Sequence, residues 1–555
     1  MRMNVLTRGA LCAFLLTGAA SAQSMPDMPG MDHHHHDEAE KLGSVSFPTS
    51  CSTASQPKIQ RGIALLHSFG YVEAQMQFEA IAKADPACAM AHWGIAMTQF
   101  QELWGRPEPP ALKLGADEMA KARALSGPGK TTPREQAYIA ALSAFFDPAQ
   151  PDAQHRADAY AAGMNALHAR FPADVEGAAF DALSLIASTA PGDTSLTHEH
   201  AALAILVPLF KAHPGHPGLA HYIIHTCDTP ALAADGLSAA QEYAKIAPSS
   251  AHALHMPGHI FARLGMWPED IASNLASVKA SEASEAKHEP GAAHQMHADE
   301  FLIYAWLQTG EDQKAAALTA RMQGIGDHMK AMPGMDDMKD DGPFFANELN
   351  AVLPMEMHQW KTAAALTPQP GSPEFETMHT WWAQGVAAGH LHDPKLAAAA
   401  LSHLDASIEA IKKSYFADYI NGVLVMRNEL VGWQAFSEDK PEAALAAMRS
   451  AADTQDKLGQ AEVDIPAREM VGDLLLMEHK PAEALAEYRI ALKLSPNRLN
   501  GLLSAGMAAE QSGQHALAHT YYAAAANQTG NGVHSQRPEL AHAVKLAGMA
   551  PPAAK

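Results

Sequence analysis

Histidines are concentrated in one stretch of this sequence, at spacings that place them on shared faces of helices. Seven of the 31 histidines fall between residues 213 and 259. His221 and His225 are four residues apart, and Asp228 lies about one turn further along the same helical face. Imidazole is the commonest metal ligand in proteins, and a pair at this spacing presents two nitrogens to one ion. The pattern therefore indicates a metal site.

A second group of histidines follows along the chain. His252, His255 and His259 are separated by three and four residues, and His297 and Glu300 repeat the three-residue step. The predicted ligands are, first, His221, His225, His255 and His259 and, in support of them, Asp228, His252, His297 and Glu300. The alternative is structural, because histidines also cap helix C-termini and hydrogen-bond carbonyl groups between helices.

Methionines form two short arrays that share a Met-Pro-Gly-Met core. The first array, which is followed by four consecutive histidines, comprises Met25, Met28 and Met31. The second comprises Met329, Met332, Met335 and Met338. Thioethers bind Cu(I) well and imidazole binds Cu(II), so both arrays predict copper binding. They resemble the methionine-rich tails of periplasmic copper-handling proteins. The alternative is a pair of low-complexity linkers.

The N-terminus has the three parts of a secretory signal. Arg2 and Arg8 make its start basic, residues 9–18 are apolar, and small residues end at Ala22. The apolar run is shorter than the roughly 20 residues that span a bilayer. We therefore predict cleavage after Ala22 and export to a bacterial periplasm or beyond the cell.

Three cysteines follow the predicted signal. Cys51 lies just before the first predicted helix and Cys88 just after the second, where the ends of two antiparallel helices meet. In an oxidising compartment such a pair is expected to form a disulfide, and we predict a structural one here. Cys227 is then left as a free thiol, which we expect to be a small buried apolar side chain.

Amphipathic helical patterns follow one another from about Lys58 onward, and alternating β patterns are missing. The C-terminal third contains a 34-residue repeat. Its recurring positions are Gly472, Ala484, Tyr488 and Ala491, which return as Gly506, Ala518, Tyr522 and Ala525. Small residues let two helices approach, and the aromatic ring fills the gap between them. The unit resembles the tetratricopeptide repeat (TPR), which implies helix-turn-helix units stacked into an α-solenoid.

Degenerate copies of the unit occur elsewhere in the chain. One copy begins at Gly432 and has six additional residues, which predicts a longer loop around residues 453–467. Others begin at Gly62 and Gly258. The histidine-bearing segments also resemble a stretch of a group of secreted bacterial TPR proteins. That resemblance assigns no reaction.

The composition divides the chain into six parts. A break in the helical pattern falls where Gly, Pro and Asp are frequent, between two helical arrays. The predicted parts are a signal peptide (1–22), a Met/His-rich mobile leader (23–46), an N-terminal TPR-like array (47–321), a Met/Asp-rich linker (322–343), a C-terminal TPR array (344–545) and a tail (546–555). The fold class expected is all-α, with two solenoid arrays joined by the linker.

The net charge of −22 argues against a nucleic-acid partner, because phosphate backbones need a basic surface. No segment after the signal is long and apolar enough to predict a membrane span. A segment at 126–131 ends like a phosphate loop but lacks its first glycine, and no H-E-x-x-H or G-x-S-x-G motif occurs.

The function that the sequence favours is an exported scaffold that binds a protein or peptide in the solenoid groove, with binding of copper or another transition metal. The alternatives are a metal-handling protein and a metalloenzyme that uses the central histidines. No catalytic residue is predicted, and the sequence indicates no oligomeric state.

Overall fold

The computed structural model of the chain has an all-α fold, as the sequence predicts. It describes residues 40–548 except 102, 104–105, 286–294, 331–340, 415–416 and 418–419, and apart from the side chains of 285, 329, 330 and 341. Every regular element of the described residues is helical. Consecutive helices pack against one another along the chain, which is the packing of an α-solenoid.

Ten helices form the N-terminal part. They are α1 (Gln56–His67), α2 (Tyr71–Ala84), α3 (Ala89–Met97), α4 (Pro109–Leu125), α5 (Pro133–Phe145), α6 (Ala153–Arg170), α7 (Val175–Ala187), α8 (Thr197–Ala212), α9 (Pro217–Cys227) and α10 (Ala233–Ile246). Proline occupies the first turn of several of these helices, where a missing N–H costs nothing.

Eight helices form the middle of the chain. They are α11 (Ala251–His255), α12 (Pro257–Arg263), α13 (Trp267–Glu285), α14 (Gln295–Gln308), α15 (Asp312–Thr319), α16 (Met322–Lys330), α17 (Asp341–Glu356) and α18 (Trp360–Ala364). The C-terminal helices are α19 (Met378–His390), α20 (Pro394–Ile411), α21 (Ile420–Ser437), α22 (Pro441–Leu458), α23 (Ala467–Met477), α24 (Pro481–Leu494), α25 (Leu499–Gln511), α26 (His515–Gln528) and α27 (Pro538–Ala547). Short 3₁₀ turns lie at Glu374–Glu376 and Gly530–Gly532.

Each C-terminal repeat is held together by a glycine on its first helix and a tyrosine on its second. A Cβ at Gly472 of α23 would lie 2.5 Å from ring carbons of Tyr488 on α24, so glycine leaves the space that the ring fills. Gly506 of α25 and Tyr522 of α26 make the same contact. Both rings are buried. The TPR-like unit predicted from the 34-residue period is therefore confirmed by its packing.

The linker predicted over 322–343 is wrong for the described residues of that range. Residues 322–330 are helical, and the next helix begins at Asp341. Gly326 of α16 faces Gly342 of α17 so closely that a Cβ on either residue would overlap the other's backbone. The glycines that suggested a loop instead permit a close crossing of two helices. Residues 331–340 lie outside the described part.

The two predicted arrays also share a buried contact, so they are not independent units. Tyr304 of the first array donates its hydroxyl to the backbone oxygen of Asp464 in the second over 2.7 Å, and the buried Arg498 donates to the same hydroxyl. Trp267 donates its indole N–H to the backbone oxygen of Asn497 over 2.8 Å. The middle helices therefore pack against the loop that precedes α25, about 230 residues further along the chain.

Cys51 and Cys88 are joined by a disulfide whose Cα atoms are 4.7 Å apart. The bond links the segment before α1 to the start of α3. Cys227 is a free, buried thiol at the end of α9. Among the described residues, the search for a helix both long and apolar enough to cross a membrane found none.

Candidate metal centre

Three histidines from two helices form a cluster that we call triad 1. His221 and His225 lie one turn apart on α9, and His252 lies at the start of α11. Each ring offers a nitrogen, and these three nitrogens lie within 4.8 Å of one another. The Nε2 atoms of His221 and His252 are 3.0 Å apart. Both of these side chains are buried, and His225 is partly buried.

Triad 2 consists of His255 at the end of α11, His259 on α12 and His297 on α14. Its three nitrogens also lie within 4.8 Å of one another. The Nε2 atoms of His255 and His259 are 3.0 Å apart. The short helices α11 and α12 follow each other directly, with Pro257 in the first turn of α12. These two helices thus carry three of the six histidines.

Oxygen atoms hold the Nδ1 side of the rings. His221 donates its Nδ1–H to the last backbone oxygen of α1 over 2.6 Å, and His255 donates to Oδ1 of Asn274 over 2.6 Å. The Nδ1 of His259 lies 2.9 Å from Oδ2 of Asp228. Because these oxygens accept hydrogen bonds, the proton belongs on Nδ1, and Nε2 of each neutral ring keeps its lone pair. Metal-binding histidines are oriented in this way.

In triad 1, a neutral His252 protonated on Nε2 donates an ordinary hydrogen bond to Nε2 of His221. In triad 2, the 3.0 Å separation between the Nε2 atoms of His255 and His259 has two physical explanations. Two neutral rings whose protons are on Nδ1 turn lone pairs toward each other, which is unfavourable without a cation between them. A proton can supply that charge by making one ring an imidazolium. A metal ion can supply it too, since nitrogens bound at about 2.0–2.1 Å and near a right angle lie about 3 Å apart.

Burial lowers the pKa of several rings of the cluster, whereas neighbouring carboxylates raise the pKa of His259. Burial lowers the pKa of His221 well below its ordinary value and lowers the pKa of His225 to about 3, so both rings are neutral at neutral pH. Burial also acts to lower the pKa of His259, but the carboxylates of Asp228 and Glu462 outweigh it and raise this pKa to about 10. Without a metal, His259 therefore keeps a proton that a bound ion would displace.

A carboxylate layer lies against triad 2. Glu462, in the loop that follows α22, places Oε1 3.0 Å from Nδ1 of His259. Arg263 donates from Nε to Oδ1 of Asp228 over 2.9 Å, and its Nη2 lies 3.4 Å from Oε1 of Glu462. Two carboxylates and one guanidinium leave one negative charge beside triad 2.

The two triads adjoin each other. The ring centroids of His225 and His259 are 6.4 Å apart, and those of His252 and His255 are 6.3 Å apart. Phe69 packs against triad 1, with its ring 4.4 Å from that of His221. Phe301 packs against all three rings of triad 2, at centroid distances of 4.7–5.2 Å. The six imidazoles therefore form one continuous cluster with an aromatic ring packed on each triad.

A third group of buried histidines has different chemistry. His67 and His216 place Nε2 2.7 and 3.1 Å from Oε2 of Glu176. The Nδ1 of His67 lies 2.9 Å from the hydroxyl of Tyr222, and the Nδ1 of His216 accepts a hydrogen bond from the backbone N–H of Leu219. Every ring nitrogen of this group has a hydrogen-bond partner, so its geometry is that of a structural network.

The structure brings all six predicted histidines into the two triads. Asp228 joins them through His259, and Glu300 places Oε2 2.9 Å from Nδ1 of His297. The predicted methionine ligands all fall outside the described residues or side chains, namely Met25, Met28, Met31, Met329, Met332, Met335 and Met338.

Three residues of this centre were missed by the sequence: Glu462, Asn274 and Arg263. Glu462 is 203 residues away from His259, so no local spacing indicates it. The longer loop predicted around 453–467 is the one signal that marks its place. Arg263 lies one turn after His259 on α12, a spacing that the sequence does show. Asn274 lies on α13, and only the packing of that helix shows that it contacts the cluster.

No protein-family model matches this chain, and no curated protein matches its sequence. Solved helical-repeat structures are similar to it at low scores. The TPR domain of P58(IPK) is 15% identical, over 67% of this chain and 97% of that one, with a TM-score of 0.21. A monomeric IFIT1 mutant with m7Gppp-AAAA is 11% identical, over 79% and 90%, with a TM-score of 0.33.

Naa15/Naa10 bound to HypK-THB is 10% identical, over 90% of this chain and 93% of that one, with a TM-score of 0.22. Scores this low carry no argument about what this chain does. The TPR-like architecture stands on the chain's own glycine–tyrosine packing.

Proposed function

We propose that this chain is an exported helical-repeat protein whose central histidine cluster binds transition-metal ions. The observation that carries the proposal is the pair His255 and His259, whose Nε2 atoms are 3.0 Å apart while the Nδ1 atom of each ring has an oxygen partner. Such oriented nitrogens are what a metal ion needs, and hydrogen bonding alone explains the pair only if one ring is charged.

Copper is the first metal we expect. All six clustered ligands are imidazoles, which suit copper, zinc, iron and nickel, and copper binds such sites most tightly among the divalent ions. The two methionine arrays of the sequence add soft ligands of the kind that Cu(I) prefers. Zinc is the alternative, since imidazole and carboxylate also suit it.

The test is metal analysis of the full chain, expressed without a metal-affinity tag and purified without metal chromatography. We expect copper to copurify or, after removal by a chelator, to bind again with submicromolar affinity. The double variant His255→Gln/His259→Gln should lose at least tenfold in affinity, because two nitrogens of triad 2 disappear.

A matched control for this variant is His390→Gln. His390 is a partly buried histidine whose ring stacks on Trp360 at a centroid distance of 3.7 Å and packs against Trp433 at 4.3 Å. This control should bind copper as the parent chain does. Unchanged copper affinity in a folded double variant would contradict the proposal.

Export is part of the proposal and is supported by the Cys51–Cys88 disulfide, because such bonds persist mainly in oxidising compartments. The expected mature protein begins at Gln23, after cleavage at Ala22. N-terminal sequencing of protein from a periplasmic fraction tests this expectation. A full-length chain that stays in the cytoplasm would contradict it.

A protein-interaction scaffold is the second function we propose, alongside metal binding. Val72 and Met76 lie one turn apart on α2 and are 50% and 60% exposed, which leaves an apolar strip for a partner to cover. Val72→Lys/Met76→Lys should abolish capture of a stoichiometric partner by the purified chain. A partner retained at the same yield would exclude this strip as the binding surface.

A further inference from the structure

We infer that triads 1 and 2 form one dinuclear metal centre with two unlike positions, a univalent copper ion in triad 1 and a divalent ion in triad 2. This inference rests on the proposed metal binding and adds to it the number of ions, their adjacency and their charges. It follows from three properties of the cluster: the count of ligands, their spacing and the groups that surround them.

The count of ligands favours two ions. Each triad supplies three nitrogens within 4.8 Å of one another, which is the number of protein ligands in a site that keeps one position open. Each triad also contains one Nε2–Nε2 pair at 3.0 Å. One ion bound by the three nitrogens of one triad leaves the three nitrogens of the other triad unused.

The spacing makes the two positions neighbours. His252 of triad 1 and His255 of triad 2 lie on the same short helix, and their ring centroids are 6.3 Å apart. His225 and His259 approach equally closely from α9 and α12, at 6.4 Å. Because helices α9, α11 and α12 fix these rings, ions in the two triads cannot be remote from each other.

Triad 1 has surroundings that favour a low charge. Phe69 packs on the rings of His221 and His225 at 4.4 and 5.3 Å, and Tyr243 stacks on His221 at 5.0 Å. The Nδ1–H of His221 is held by a backbone oxygen. Three neutral imidazoles among aromatic rings compensate no charge, and the cost of burying an ion rises steeply with its charge. Cu(I) fits such a position better than a divalent ion.

Triad 2 has surroundings that favour a divalent ion. Asp228 and Glu462 both contact His259, and Glu300 contacts His297. The carboxylates of Asp228 and Glu462 raise the basicity of His259 and offset the charge of an ion bound at its Nε2. The two triads thus contain equal numbers of histidines, but triad 2 has neighbouring carboxylates that offset part of the charge of a bound ion.

The experiment uses the full chain, stripped of metal and then titrated. Each triad is removed by one substitution. His225→Leu disrupts triad 1, where Nε2 of His225 has no hydrogen-bond partner among the described residues, so the change breaks no hydrogen bond of that atom. His297→Gln disrupts triad 2 at a partly exposed position. Circular dichroism checks that both variants fold, and His390→Gln is the control.

We expect each variant to bind one equivalent of copper fewer than the parent chain, since copper bound by the methionine arrays is the same in all three proteins. In anaerobic competition titrations, His225→Leu should lose Cu(I) affinity at least tenfold and keep zinc, while His297→Gln should lose zinc affinity at least tenfold and keep Cu(I). With one equivalent of Cu(II) bound in triad 2, one equivalent of Cu(I) should change the electron paramagnetic resonance spectrum of the Cu(II) in the parent chain, and His225→Leu should not show this change.

Three results would overturn the inference. A single equivalent of copper, lost in both variants, means one mononuclear site and leaves the proposed metal binding intact. A Cu(II) spectrum that Cu(I) leaves unchanged in the parent chain means two sites that are not adjacent. Equal effects of both substitutions on Cu(I) and zinc affinity would contradict the assignment of a univalent ion to triad 1 and a divalent ion to triad 2. A folded parent chain that binds no metal would contradict the proposed function itself.

Discussion

Asn274 holds the ring of His255 by accepting the Nδ1–H on Oδ1 over 2.6 Å. The amide group of Asn274 is itself fixed, since Nδ2 donates to Oδ1 of Asp270 over 2.6 Å. Both side chains reach the cluster because residue 258 is a glycine, where a Cβ would lie 2.8 Å from atoms of each. In the degenerate repeat unit that begins at Gly258, position 270 corresponds to Ala484 and Ala518 of the C-terminal repeats. This position is an aspartate here, and its side chain supports the histidine cluster through Asn274.

Replacing this support should weaken metal binding without removing a ligand. We expect Asn274→Ala to lower copper affinity about 10- to 100-fold, since the imidazole of His255 loses the acceptor that fixes its tautomer and orientation. Competition titration with a chromophoric chelator measures the change. Asn500→Ala is the matched control. Asn500 is also a buried asparagine, but it donates to Glu356 and contacts no histidine of the triads in the hydrogen bonds of the described residues. Equal losses in both variants would contradict this role for Asn274.

The second prediction concerns a buried carboxyl group on α21. Glu429 is 2% exposed and accepts the indole N–H of Trp382 over 2.6 Å. Burial, together with the charge of Asp464, raises the pKa of Glu429 from 4.5 to about 8. The folded chain therefore holds a proton that the unfolded chain releases between those pH values. This group lowers the free energy of unfolding by roughly 1.4 kcal/mol for each pH unit across that window.

Glu429→Gln should remove this loss of stability, because the amide oxygen still accepts from Trp382 and never ionises. We expect the variant to match the parent near pH 4 and to be more stable than the parent by a growing margin up to about pH 8. Urea unfolding at a series of pH values measures the margin. A constant difference between the two proteins at all pH values would contradict the raised pKa.

The fold was predictable because the residues that pack together in each repeat lie close to one another in the sequence. Glycine and tyrosine recur 34 residues apart at Gly472, Tyr488, Gly506 and Tyr522, and each pair packs inside a single helix-turn-helix unit. The six histidines were predictable for the same reason, since spacings of three and four residues put side chains on one face of one helix.

The rest of the site depends on contacts between distant parts of the chain. Glu462 reaches His259 across 203 residues, and sequence spacing has no bearing on such a contact. The helix over 322–330 was missed because glycine has two uses. Gly326 is typical of a loop in the sequence, whereas in the structure its missing side chain permits the crossing with Gly342. Only the packed structure distinguishes the two uses.

The third prediction concerns the disulfide between Cys51 and Cys88, which closes a loop of 37 residues. Cross-linking a loop of this length restricts the unfolded chain and stabilises the folded one by about 2–4 kcal/mol. Cys51→Ser/Cys88→Ser should lower the free energy of urea unfolding by that amount. A reducing agent should lower the stability of the parent similarly and leave the variant unchanged. A variant that responds to the reductant as the parent does would contradict the assignment.

The last prediction tests the contact between the middle helices and the C-terminal repeats with two matched glycines. Gly265 and Gly513 both have positive φ, +64° and +76°, so alanine costs about 1–2 kcal/mol of backbone strain at either position. Their surroundings differ. A Cβ at Gly265 would overlap the backbone oxygen of Pro496, which packing holds in place, whereas a Cβ at Gly513 meets nothing within 4 Å.

Gly513→Ala should therefore cost only the backbone strain. Gly265→Ala should cost at least about 2 kcal/mol more, in the range of overpacked interiors, because a backbone oxygen cannot turn aside as a flexible side chain does. The midpoint of urea unfolding measures both. Copper affinity is a second readout. Arg263, two residues before Gly265, donates to the backbone oxygen of Gln460 in the loop that carries Glu462, so a shift at Gly265 should also disturb triad 2. Equal losses of stability in the two variants would mean that the contact at Gly265 yields without cost.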